Sequence, residues 1–249
     1  MPEIYVLVIG SVFLVSLISL VGIFTLSFRT NVLERYVFVF VSLAVGALLG
    51  DAFIHLIPES FEALNDTTLT SLLIILGLFI FFVLEKVLHW NHDHRLPKSG
   101  HSNLKPLGTM ALTSDGIHNF LDGLIIGASY LVSVEVGIAT TIAVMLHEIP
   151  QEIGDFGVLL HAGYSKMRAL ALNFFSGLLA VLGAIVVLVF GATSSTFISY
   201  IIPIAAGGFI YIAVADLIPE LQKVTRIKSS LIQVTATLVG VLVMGFLAL

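Results

Sequence analysis

Apolar runs of about twenty residues recur eight times along this chain, at roughly 4–28, 36–57, 69–89, 107–131, 136–161, 168–191, 200–219 and 229–248. At about 1.5 Å per residue, each crosses the ~30 Å hydrocarbon core of a bilayer. Lipid offers no partner to a backbone N–H or C=O, which leaves only helices and closed barrels as spanning structures. The alternation of barrel strands is absent. The runs therefore predict an all-α membrane protein, one transmembrane domain over residues 1–249. Only 11% of the residues are charged and the mean hydropathy is +1.08, against about 25% charged in a soluble domain. Lipid is the expected partner, and no nucleic acid is. The opening "MPEIYVLVIG" lacks a basic n-region and leads into roughly 25 apolar residues, longer than the 7–15 residues of a cleaved signal core. It is read as a retained helix. No cysteine is present, which removes disulfides and thiolate metal sites.

Charge fixes the predicted orientation. The eleven basic residues fall between runs 1 and 2 (Arg29, Arg35), 3 and 4 (Lys86, Arg95, Lys98, Lys105), 5 and 6 (Lys166, Arg168), and 7 and 8 (Lys223, Arg226, Lys228). The intervening connections carry Glu59, Glu62, Asp66 and Glu135 and no Lys or Arg. The positive-inside rule puts the four basic loops in the cytoplasm and both termini outside. Run 2 ends "AFIHLIPES" and run 7 "IAVADLIPEL", so a shared "LIPE" aligns His55 with Asp216 in segments of opposite direction. Such a pattern predicts an inverted repeat, helices 1–3 against helices 6–8, around helices 4 and 5. Proline is also a common helix terminator, and chance is the alternative.

Helices 4 and 5 hold the chemistry. His118 and His147 each lie about eleven residues into their runs, or ~16 Å deep, from opposite sides of the membrane. His118, Asn119 and Asp122 share one face of helix 4, with Asp115 a turn earlier. On helix 5, His147 pairs with Gln151 and Glu148 with Glu152 at i,i+4, and Asp155 extends the stripe. A central ionisable residue costs roughly 2.5–3.5 kcal/mol, and the runs hold no Lys or Arg beside these groups to neutralise them. Imidazoles grouped with uncompensated carboxylates suit a divalent transition metal, Zn²⁺ first. Interhelical hydrogen bonding and proton relay are the alternatives.

"HNFLDG" (118–123) and "HEIPQEIGDF" (147–156), with "GDAFIHLIPES" and "VADLIPE", resemble the signatures of the ZIP family of zinc and iron transporters, close to its LIV-1-type branch. The resemblance covers the whole chain. It implies one metal held by His118, Asp122, His147 and Gln151, and a second by Asn119, Asp122, Glu148 and Gln151. The LIV-1 pattern has His, and other members a carboxylate, where this chain has Gln151. That neutral amide favours one metal over two, with Glu152 as a further ligand and Asp115 and Asp155 supporting the ligands. The resemblance also implies a four-helix unit sliding on a scaffold, and a homodimer.

The expected function is transport of divalent metal, chiefly Zn²⁺ with Cd²⁺, Fe²⁺ or Mn²⁺ as further substrates, into the cytoplasm. No prosthetic group and no enzyme activity are expected. Asp51 and His55 would line the outer mouth, and His161 and Asp216 the inner exit. The cytoplasmic loop 89–106 contributes His89, His92, His94 and His101 as weak metal captors. The expected location is a cell membrane of prokaryotic inner or plasma type. Two alternatives stay open: a proton-conducting receptor or channel, and an intramembrane zinc metalloprotease, since "HEIPQ" is an HExxH lacking its second His.

Overall fold

In the computed structural model, the described residues are 2–25, 30–95, 105–191, 195–224 and 226–249, and among them every regular element is helical. Helix α1 (Pro2–Ile18) passes through a 3₁₀ turn at Ser19–Val21 into α2 (Gly22–Thr25). Helix α3 (Thr30–Gly50) continues through a π turn at Asp51–Leu56 into α4 (Ile57–Leu64), and α5 (Thr67–Arg95) follows. Helices α6 (Lys105–Val132) and α7 (Val134–His161) come next, then α8 (Lys166–Gly177) and α9 (Leu179–Gly191). Helix α10 (Ser195–Tyr211) runs through a second π turn, Ile212–Leu217, into α11 (Ile218–Gln222), and α12 (Ile227–Leu247) ends the fold.

Among the described residues, six stretches are long and apolar enough to cross a membrane: Glu3–Val21, Val37–Leu64, Thr67–Val87, Lys166–Gly191, Thr196–Gln222 and Ile227–Leu247. Their outward faces carry exposed Phe13, Phe79, Phe175, Leu242 and Phe246, a coat that suits hydrocarbon rather than water. Helices α6 and α7, at 28 residues each, are about 42 Å long. They stand outside that set because their apolar residues are interrupted by acids, imidazoles and an asparagine. Only Ser133 separates them, and its Oγ accepts from the Val136 N–H at 3.2 Å to cap α7.

The two π turns have a common cause. Pro58 and Pro219 lack an N–H, and a proline ring clashes with the carbonyl four residues back. The residue before each proline therefore reaches one position further: Ile57 N–H bonds Ala52 O, and Ile218 N–H bonds Ala213 O. Helix α7 instead carries Pro150 inside an otherwise continuous helix.

Packing separates two groups, α1 with α6, α7, α8 and α9, and α3 with α5, α10 and α12; α3–α7 and α6–α10 contacts join them. Close helix approaches in the second group use glycine. A Cβ on Gly46 would strike the Thr237 carbonyl, one on Gly207 the Ile74 carbonyl, one on Gly240 the Leu43 carbonyl and one on Gly77 the Ile204 carbonyl. Gly46 stands to Gly207 along the chain as His55 stands to Asp216, and so does Leu43 to Ile204. Thus α3 meets α12 much as α10 meets α5.

Candidate metal centre

Helical spacing puts His118 and Asp122 on one face of α6, and α7 crosses it with His147 and Glu148. One ligand atom from each of these four residues lies within 4.8 Å of all the others. The two imidazole Nε2 atoms are 3.1 Å apart. Asp122 Oδ2 is 3.1 Å from His147 Nε2 and 3.8 Å from His118 Nε2. Glu148 Oε1 is 3.5 Å from His118 Nε2 and 3.7 Å from His147 Nε2. A regular tetrahedron with zinc-to-ligand bonds of about 2.0–2.1 Å has edges of about 3.3–3.4 Å. These five separations bracket that value.

Both oxygens of Asp122 and of Glu148 are buried without a hydrogen bond. Buried carboxylate oxygens normally have partners, and these carboxylates beside two imidazoles make a donor set of the kind that suits a divalent transition metal. His147 is fully buried, and its Nδ1 is 3.2 Å from the Ala143 carbonyl. That contact holds the ring with Nε2 aimed at the centre, the second-shell arrangement common for metal-bound histidines. Phe209 of α10 packs edge-on to His147, ring centroids 6.3 Å apart, and Phe81 of α5 does the same to His118 at 6.5 Å.

The remaining expected residues fall around the centre and along both ends of the helices that carry it. Asn119 is buried beside the centre, and its Nδ2 donates to Asp115 Oδ1 at 2.8 Å. Glu152 is buried one turn along α7, where its carboxylate accepts from Asn173 Nδ2 of α8; half-buried Asp155 follows it. Gln151 lines, with His118 and Phe81, a cavity of about 620 Å³ that extends past Glu85 and Tyr211 to Asp216 and Glu220. The Tyr211 hydroxyl donates to Glu85 across α10 and α5.

Asp51 and His55 are buried in the first π turn. Thr140 Oγ1 of α7 donates to Asp51 Oδ2 at 2.8 Å, and His55 Nδ1 lies 3.0 Å from Asp51 Oδ1, misaligned for a hydrogen bond. Thr140 precedes His147 by two turns on α7, so this pair sits on the Ser133 side of the centre while the cavity lies on the other. His161 is exposed in the last turn of α7. The helix expected to end near residue 89 continues to Arg95, so His89, His92 and His94 fall on its last turns; their side chains, and His101 altogether, lie outside the described residues. Asn173, Thr140, Phe81 and Phe209 were not singled out by the sequence. A lone asparagine or threonine in an apolar run, or one phenylalanine of 18, carries no spacing signal.

The model of the family described as ZIP Zinc transporter matches residues 3–110 and 91–248. The chain is 32% identical over 262 residues to zinc transporter ZIP13 of Danio rerio, covering 84% of this chain and 75% of that protein. It is 34% identical over 248 residues to zinc transporter ZIP13 of Mus musculus, covering 84% and 69%. It is also 31% identical over 283 residues to metal cation symporter ZIP14 of Xenopus tropicalis, covering 85% and 60%.

Proposed function

The chain belongs to the ZIP zinc transporter family, and from that premise we propose that it moves Zn²⁺ across a cell membrane into the cytoplasm through His118, Asp122, His147 and Glu148. It is a transporter rather than an enzyme, which sets the metalloprotease alternative aside. One observation carries the site assignment: two imidazoles and two unpaired buried carboxylates held at tetrahedral spacing. The substrate ion would exchange its water for these ligands and leave through the cavity that ends at Asp216 and Glu220.

Several finer statements belong to the same proposal. The neutral amide of Gln151 supports a one-ion centre, with Gln151 and Glu152 meeting the ion as it moves toward the cavity. Cd²⁺, Fe²⁺ and Mn²⁺ are the further substrates such N/O ligands suit. Helices α6 and α7 also span, making eight crossings, with both termini outside and the basic loops, including 89–106 and its histidines, in the cytoplasm of a prokaryotic-type membrane. The matching π turns and glycine contacts support an inverted repeat. The separation into two helix groups supports a sliding unit that carries the site, and two copies pair in the membrane.

Purified protein in liposomes loaded with a fluorescent zinc indicator tests the reading. Wild type admits Zn²⁺, while His118→Ala, Asp122→Ala and His147→Ala admit none above protein-free vesicles. Wild-type flux from any of the three would remove the assignment.

A further inference from the structure

The four ligands are not equally held. Asp122, His147 and Glu148 are fully buried, whereas the His118 side chain is 14% exposed and lines the cavity. His147 is tethered through Nδ1 to the Ala143 carbonyl. No hydrogen bond anchors His118 Nδ1 among the described residues. Two perpendicular ring contacts orient this imidazole instead, to His147 at a centroid distance of 5.3 Å and to Phe81 at 6.5 Å.

Phe81 cannot retreat from that contact. Its ring lies over Gly208 of α10, where even an added methyl group would collide with it. The phenyl group is thus clamped between the α10 backbone and the His118 imidazole, on the wall of the cavity through which the ion departs. Resting on the metal-centre reading above, we propose that Phe81 is a positioning residue for His118 and governs how readily this ligand lets the ion go toward the cavity. Phe81 never touches the ion. It keeps Nε2 directed at Asp122, His147 and Glu148, and removing its edge lets the imidazole swing into open space. His118 is then the first ligand to release, and His147 the last, because a hydrogen bond and complete burial hold it.

The test uses full-length protein in detergent micelles with Cd²⁺ as the probe. Stopped-flow mixing with indicator gives capture, and mixing the loaded protein with excess chelator gives release. Phe81→Leu keeps apolar volume but loses the ring edge. It is expected to release Cd²⁺ about 2- to 12-fold faster, the worth of one edge-to-face ring contact, with capture unchanged. Phe81→Tyr restores the ring and the wild-type rate. Phe79→Leu, on the exposed side of the same helix, matches wild type. Phe209→Leu accelerates release less than Phe81→Leu, because His147 stays tethered. Equal release from Phe81→Leu and wild type, or equal acceleration in Phe81→Tyr, overturns the proposal while leaving the metal centre intact. Failure of wild type to bind Cd²⁺, or undiminished binding in His118→Ala, overturns the metal-centre reading and this proposal with it.

Discussion

Asp122→Asn is expected to make the metal-free protein more stable while abolishing its response to metal. Asp122 and Glu148 are both buried, with ligand oxygens within 4.8 Å and no hydrogen bonds to either carboxylate. Two like charges at that separation would repel by about 3 kcal/mol at an effective dielectric constant of 20, which sets the ceiling on what a neutral amide of the same shape can relieve. A gain of up to about 3 kcal/mol follows, and each kcal/mol moves the melting temperature by roughly 2–4 °C for a chain of this length. Wild type instead gains about 2.7 kcal/mol when Cd²⁺ reaches 100 times its Kd, and the variant loses most of that gain. The assay is thermal unfolding in detergent, with chelator and with Cd²⁺. If Asp122→Asn lowers the melting temperature in chelator yet keeps the full Cd²⁺ shift, the carboxylate is a structural acceptor and the argument from unpaired charge fails.

Gly207→Ala drives a Cβ into the Ile74 carbonyl, and overpacking of this kind costs about 1–3 kcal/mol; Gly157→Ala, with nothing within 4 Å, instead stabilises by about 0.5–1 kcal/mol, both read by thermal melting. Asn173→Ala strips the donor from the buried Glu152 carboxylate and costs about 1–3 kcal/mol in the same measurement.

Residue spacing made most of the centre legible. His118 with Asp122, His147 with Gln151 and Glu148 with Glu152 are i,i+4 pairs read from spacing, whereas the approach of both His147 and its neighbour Glu148 to His118 and Asp122 depends on how α7 crosses α6. Gln151, expected as a ligand from its i,i+4 spacing to His147, lies along the cavity with His118. Asn173, Thr140 and Phe81 reach the site from other helices, and such contacts leave no trace in local pattern. The π turns were half legible: "LIPE" marked their positions, but the same proline reads equally as a plain helix end. Hydropathy leaves α6 and α7 outside the six apolar spans because their buried acids, imidazoles and asparagine dilute the apolar average.

The single residue between α6 and α7 bears on how the chain is made. On the eight-crossing topology proposed above, each helix alone would offer the bilayer a strip of acid, amide and imidazole, and neither would partition stably into lipid one at a time. Joined at Ser133, they can leave the insertion machinery as a hairpin whose polar strips already cover each other. A long flexible linker spliced in at that corner would uncouple the two halves, and the fault would emerge during biosynthesis, before any ion had been carried.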